Sequence, residues 1–466
     1  MFKHIFLVGI GGVSMSGIAR ILRGMGIKVS GSDVMESVET RKLEREGFKV
    51  YVGHKESNIS MDVDLVVVSA AIDEKNFEVA SALKRDIPVW RRLQLINYLV
   101  DEKVMVAVTG MHGKTTVSSM IATICFDAKE DPTIMVGGEV RAISSNSRYG
   151  KGELWILEAC EYKRSFLDLK PNIAVVTNIE EEHMDVYRDL DDIVDTFGLF
   201  VKQVDLGGLV VACTDDKNVR KVISCSQANV AGYGFETRPK NFTGVYWQIK
   251  NLEILDGKSV FDLYVDDEYY DNFCLSIPGR FNVLNAVAAI VVADFLVIDI
   301  NMVKESLKNF LGARRRMDVL YDSEKITIVD DYGHHPTEID NFLTAIRQKY
   351  GEKKLWLVWQ PHQYSRTWQF LDKFVDCFKG VDKLILTEIY EARDAKEVKE
   401  KIDGKKLCEV MLKAKIDSVY FSTYDEVVDY LKKNYVEGSL LITLGAGPVN
   451  EVAEKVKKIL VKENTA

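Results

Sequence analysis

Proline is scarce, eight residues in 466, which leaves little room for Pro-rich linkers or polyproline recognition segments. Cysteine is sparse and odd in number, seven residues with no CxxC or paired metal-ligand spacing. This pattern favours reduced thiols in a cytosolic compartment, mostly filling cores, over a disulfide framework or a paired-cysteine metal site. Long apolar runs are missing: MFKHIFLVGIGG reaches its glycines too soon for a signal peptide, and the stretch 283–300 is broken by Asn285, Asp294 and Asp299. A soluble, unprocessed, cytoplasmic protein with no stable membrane association is expected. Positive charge is not in excess either. Sixty-one basic against 70 acidic residues give a net charge of −9, which argues against nucleic acid or an anionic membrane as the main partner and requires any phosphate site to be built locally.

What is present is ordinary globular material, 47% hydrophobic and 28% charged, enough for two to four domains at roughly 100–200 residues each. Short β-branched runs ending in glycine or polar residues alternate with helical patterns, the signature of parallel sheets with crossover helices. Three such series follow one another. The first opens with HIFLVGI, with helices over 14–25 and 38–46. The second opens with VMVAVTG and a helix over 114–126, and turns into hairpins around Asp256-Gly257, an antiparallel insertion. The third follows Arg314–Arg316, with strands KITIVDD, KLWLVWQ, KLILTEI, SVYFS and SLLITLG.

Each series carries chemistry at its strand ends. Gly9, Gly11, Gly12 and Ser14 follow the first strand, and Asp33 follows the second. Glycines there let a backbone approach a diphosphate at a helix N-terminus, although Ser14 stands where the dinucleotide fingerprint has its third glycine. A nucleotide diphosphate, a structural glycine turn and NAD are the three readings of this loop. The sharpest signal is Thr109-Gly110-Met111-His112-Gly113-Lys114-Thr115-Thr116 between a β-branched strand and a helix. In that context backbone N–H groups cradle phosphates, Lys114 reaches the β/γ oxygens and a threonine hydroxyl ligates Mg²⁺. Glu158 and His183, at the ends of the next two strands, fall on the same rim and can converge on the cation. Glu180–Glu182 read as a solvated acidic loop. Four of the seven histidines, His183, His334, His335 and His362, lie in such loops.

The segments GIGGVSMSGIA, TGMHGKTT, EACEYKRSF, VVTNIEEEHMDVY, IPGRFNVLNAVAA, ARRRMD, DDYGHHPTEI, WQPHQYSRT and LGAG, in that order, resemble the Mur ligases over essentially the whole chain. The resemblance implies an α/β protein of three domains: an N-terminal Rossmann-like domain (1–100) holding a UDP-sugar, a central phosphate-loop ATPase-type domain with a mixed sheet and antiparallel insertion (101–313), and a C-terminal Rossmann-like domain (314–466) presenting the amino acid. It implies ATP-dependent amide formation between L-alanine and the lactyl carboxylate of UDP-N-acetylmuramate through an acyl phosphate, with Mg²⁺. Carried over by motif, Gly110, Gly113, Lys114, Thr115 and Thr116 hold the ATP phosphates, Asn282 and Asn285 the adenine, and Arg316 and Asp331 lie near phosphates and ribose. Thr115, Glu158 and His183 are the implied metal ligands, and Gly9, Gly11, Gly12, Ser14 and Asp33 the UDP-sugar set. Tyr332, His334, Gln363 and Arg366 present the amino acid, and Lys114, His183, His334 and Arg366 form the implied catalytic set. Phe281, Met317, Pro448 and Gln363 depart from the family's His, Phe, Asp and Arg, and Lys202 is a candidate counterpart of the carbamylated lysine of other Mur ligases. The rival readings are a relative that adds another amino acid or a preformed peptide, an NAD-dependent dehydrogenase, and a nucleotide-regulated binding protein.

Overall fold

The computed structural model describes residues 2–69, 71–73, 75–392, 394 and 396–465. It divides into two compact units, Met1–Glu253 with Val260–Ser276 and Asn282–Leu311, and Gly312–Ala466 with Ile254–Ser259 and Ile277–Phe281.

The first unit holds two sheets. One has five strands, ordered Lys49–Val52, Lys28–Asp33, His4–Val8, Leu65–Val68, Val89–Arg91, all paired in parallel. His4–Val8 is buried throughout, as a central parallel strand covered on both faces must be. Chain order reverses between His4–Val8 and Leu65–Val68, so the crevice at their carboxyl ends is where such a sheet receives a ligand. The glycine loop lies there.

The other sheet has ten strands, ordered Glu268–Leu275, Lys258–Val265, Val245–Leu255, Asn229–Gly234, Leu209–Cys213, Ile173–Val176, Val104–Thr109, Leu154–Glu158, Thr133–Val140, Ser145–Arg148. Its centre is parallel, whereas Thr133–Val140 and Ser145–Arg148 pair antiparallel. The three strands between Val245 and Leu275 are joined by two-residue turns with φ > 0 at both positions: 50° and 71° at Asp256-Gly257, 47° and 72° at Asp266-Asp267. That is the backbone a primed hairpin turn requires. Helix Lys114–Asp127 runs off the central strand with Gly113 at its N-cap.

The second unit is built on six strands, ordered Asp318–Asp322, Thr327–Asp331, Leu440–Leu444, Leu355–Trp359, Lys383–Leu386, Ser418–Tyr420. The first pair is antiparallel and the remainder parallel. Helix Pro336–Tyr350 starts on a proline, its N-terminus closed by a His335–Glu338 capping box, so the second histidine of the DDYGHHPTE segment is a cap.

Three series of strands read from the sequence are thus three sheets. The strands the patterns miss are of two kinds: Lys49–Val52, Val89–Arg91 and Ser145–Arg148 are short sheet edges, where one-sided burial gives no apolar run, whereas Thr133–Val140, Leu209–Cys213 and Asn229–Gly234 lie inside the ten-stranded sheet. The expectation that the cysteines fill cores is only partly met: Cys125, Cys213 and Cys408 are buried, Cys160 is exposed and the other three are intermediate. No helix among the described residues is long and apolar enough to cross a membrane.

Candidate active site

Strand Val104–Thr109 carries the loop 110–113 to the rim of the central sheet, with Glu158 in register beside Val108 and Val176 beside Thr109. Two glycines are imposed by space as well as by backbone. Gly110 has φ 131°, and a Cβ on it would stand 2.0 Å from Thr177 Oγ1; Gly113 has φ 83°, and its Cβ would stand 2.6 Å from Asn285 Oδ1. The loop is clamped from the neighbouring strand end. Thr177 Oγ1 and Asn178 Nδ2 both donate to the His112 carbonyl, at 2.6 and 3.0 Å, and the His112 N–H donates to Asn178 Oδ1 at 2.8 Å. The His112 imidazole is paired with Glu180.

Lys114 folds back over this loop. Its ammonium reaches Gly110 O at 2.5 Å, Met111 O at 3.1 Å and the two carboxylate oxygens of Glu161 at 3.1 and 2.9 Å. Burial opposes the lysine's charge, but the field of Glu161 prevails and raises its pKa. Burial likewise opposes the Glu161 carboxylate, which Lys114 and then His183 pull below its ordinary range. Thr115 Oγ1 donates to Glu158 Oε2 at 2.8 Å, and the same oxygen accepts the Gly137 N–H at 2.8 Å. Thr116 is buried in the first turn. Asn282 and Asn285 are buried on helix Arg280–Phe295, with Asn285 against Gly113.

His183, at φ 55°, turns Nε2 to Glu161 at 3.1 Å. Among the described residues, Glu158 and His183 share no cluster of three ligand atoms within 4.8 Å; each has its own neighbour, Thr115 and Glu161. The solvated acidic loop expected at 180–182 is corrected by the structure. Glu181 is exposed, but Glu180 pairs with His112 and Glu182 is 7% exposed, because the segment closes over the phosphate loop. Lys202, just past helix Leu190–Val201, is exposed.

At the N-terminal sheet, Gly9 adopts φ 82° and Gly12 caps helix Val13–Gly24. Ser14 is exposed in its first turn. Asp33 accepts the Gly11 N–H at 2.9 Å and the Val34 N–H at 2.8 Å, so it shapes the glycine loop itself. In the same unit, a cavity of about 670 Å³ is lined by Ser69, by the cations Arg91, Arg92, Lys163 and Arg164, and by the carboxylates Asp73 and Asp168, a net excess of positive charge. Sequence reading missed this basic lining, which is gathered from two segments some seventy residues apart. It also passes over Glu161, three positions after Glu158 in the EACEYKRSF segment.

In the second unit, the guanidinium groups of Arg315 and Arg316 each lie 5.1 Å from the ring of Tyr332. Asp331 accepts the Met317 and Gly333 N–H groups, both at 2.7 Å, and burial pushes its pKa up to about 6. His334 Nδ1 is 3.2 Å from Glu338, and its ring is 5.7 Å from that of His362. Arg366, 6% exposed, places Nη1 3.0 Å from His362 Nδ1 and 3.1 Å from His362 O. Gln363, at φ 72°, instead donates to Ala392 O at 3.0 Å. Gln363 and Arg366 therefore turn to different partners.

A glycine-lysine loop between a parallel strand and a helix, in a chain with two further α/β sheets, defines a multidomain phosphate-loop protein. Residues 4–103 match the Mur ligase family catalytic domain, 108–293 the Mur ligase middle domain and 315–447 the Mur ligase glutamate ligase domain; the chain belongs to the Mur ligase family. It is 40% identical to the UDP-N-acetylmuramate–L-alanine ligase of Acetivibrio thermocellus over 98% of this chain and 96% of that one. The enzyme of the same name from Caldanaerobacter subterraneus subsp. tengcongensis is 40% identical over 97% of each. Among solved structures, UDP-N-acetylmuramate-alanine ligase MurC from Thermotoga maritima superposes with TM-score 0.82 at 25% identity over 99% of both chains. A murein peptide ligase from Psychrobacter arcticus shares the fold at TM-score 0.68 and 21% identity, over 98% of both chains.

Proposed function

We propose that this protein joins L-alanine to the lactyl carboxylate of UDP-N-acetylmuramate at the expense of ATP, a step in making peptidoglycan precursors. The observation that carries the reading is end-to-end 40% identity to ligases of that name together with a phosphate loop whose lysine and threonine stand beside Glu161 and Glu158. ATP is the phosphoryl donor, its phosphates lying on the N–H groups of 110–115 with Lys114 as counter-charge, and its adenine between Asn282 and Asn285. Thr115 and Glu158 suit Mg²⁺, since they offer a hydroxyl and a carboxylate, hard oxygen donors, at the loop mouth; His183 is assigned to the same task. When bound, the cation would neutralise charge developing on the transferred phosphoryl group.

The carboxylate of the sugar attacks the γ-phosphorus, giving an acyl phosphate and ADP. The amine of alanine then attacks the acyl carbon, loses its proton, and inorganic phosphate leaves. Such chemistry needs alignment and charge neutralisation, with no protein nucleophile. The glycine loop 9–14 and the basic cavity of Arg91, Arg92, Lys163 and Arg164 support an anionic UDP-sugar in the first unit. Arg366, with His334 and Tyr332, is assigned to the amino acid, and the domains are taken as 1–100, 101–313 and 314–466, a division that the presence of three separate sheets supports. A cytoplasmic setting, with small-molecule partners only, suits these substrates.

The test is phosphate release from ATP with UDP-N-acetylmuramate and each amino acid, singly and together. Release is expected only with both co-substrates present and fastest with L-alanine. Release supported by a preformed peptide in place of L-alanine would transfer the chain to the peptide-adding ligases.

A further inference from the structure

Glu161 is 1% exposed, beside the phosphate loop, and takes no part in the chemistry above. Its carboxylate meets Lys114 through both oxygens and His183 Nε2 through Oε1. An ammonium has three N–H donors, yet four protein oxygens lie within 3.1 Å of Lys114 Nζ. The lysine thus has no donor left for a phosphate until one of these contacts is released. The two carbonyls belong to the loop that cradles the phosphates and stay with it. The carboxylate is the separable partner.

We propose that Glu161 is a positioning residue that stores the Lys114 ammonium while the loop is empty, and that a nucleoside polyphosphate binds by drawing Lys114 off it. The inference rests on reading this loop as the nucleotide site. Which partner moves follows from the anchoring. Glu161 O accepts Tyr187 OH at 2.6 Å, and Arg164, on the same turn, is held by both oxygens of Asp192 at 2.8 and 2.7 Å and by Thr196 at 2.8 Å. The carboxylate therefore sits on a fixed turn, whereas lysine is a point charge on a flexible stem. His183 supplies the reason the exchange is tolerable. A buried carboxylate stripped of its only partner is strongly destabilising, but Glu161 retains the His183 contact when Lys114 leaves. Storage has a second use, because an unpaired buried ammonium would be equally costly between turnovers.

The prediction is counter-intuitive for an active-site carboxylate: its neutral isostere should bind nucleotide more tightly. Calorimetric titration of ADP into the full chain compares wild type, E161Q, K114M and the double variant, each with Mg²⁺ and with EDTA. E161Q is expected to bind ADP about tenfold more tightly, since one charge-assisted contact no longer has to be broken. The gain should vanish in the K114M background and be the same with and without Mg²⁺. Unchanged or weaker binding in E161Q would overturn the proposal, as would a change that persists without Lys114. A loss confined to Mg²⁺ would make Glu161 a cation ligand instead. Circular dichroism melts check folding, and if E161Q does not fold, E161A carries the test, with tighter ADP binding abolished by K114M expected and any other result overturning. Failure of the wild-type chain to bind ADP would refute the nucleotide-site reading itself, a separable outcome.

Discussion

Thr115 donates its hydroxyl to Glu158 over 2.8 Å, tying the first turn of the phosphate-loop helix to the end of the neighbouring strand. The same carboxylate oxygen holds the Gly137 N–H, so one side chain fixes three segments around the place assigned to the cation. Glu158→Gln keeps the shape and removes the charge. It is expected to raise the Mg²⁺ concentration needed for half-maximal turnover by about tenfold or more, with excess Mg²⁺ restoring part of the rate by mass action. His183→Ala should respond in the same way. A rate loss in either variant that no Mg²⁺ concentration relieves would assign that residue to structure alone.

Lys114→Ala removes the ammonium placed on the Gly110 and Met111 carbonyls. Turnover is expected to fall by at least ~10²-fold, the usual cost of deleting a preorganised charge. Since this also leaves Glu161 without its lysine, melting should be measured alongside phosphate release. Near-normal turnover would refute the phosphate-loop assignment.

Arg366 and Gln363 separate in the structure, and so should their variants. Arg366→Ala is expected to raise the KM for L-alanine by about tenfold or more, the worth of a charge-assisted contact. Gln363→Ala, which frees only the Ala392 carbonyl, should change it less than about threefold. Kinetics across L-alanine, glycine and L-serine decide the matter; an unmoved KM in Arg366→Ala for all three would remove Arg366 from the amino-acid site.

Asp331 predicts a pH dependence of stability. Its carboxyl titrates near the ordinary 3.8 in the unfolded chain and at about 6 when buried in the fold. Between those values the folded state holds a proton that the unfolded state has released, so stability declines as pH rises through the window and is level above it. The loss amounts to about 2–3 kcal/mol at 1.36 kcal/mol per pH unit. Chemical denaturation of wild type against Asp331→Asn from pH 4 to 8 should show the difference between them shifting by this amount. Parallel curves would refute it.

Much of this was legible in the sequence because it is local. The β-branched runs mark most of the central strands, and Gly110 and Gly113 mark a turn at positive φ, which glycine adopts at the least cost. The motif residues near each strand end gave the family. Edge strands such as Val89–Arg91 were not legible, since burial on one side leaves no apolar run.

What the sequence by itself determined is the inventory: three sheets, a phosphate loop with Lys114 and Thr115, and carboxylates and histidines at strand ends. Tertiary structure alone decided the partners. Lys114 meets Glu161 across 47 positions, His112 meets Asn178 across 66, and Gln363 turns to Ala392 across 29 rather than towards Arg366. Spacing along a chain says nothing about which neighbouring strand ends share a rim. Hydrogen-bond reach of about 3 Å is set by sheet order and register, which exist only once the strands have paired.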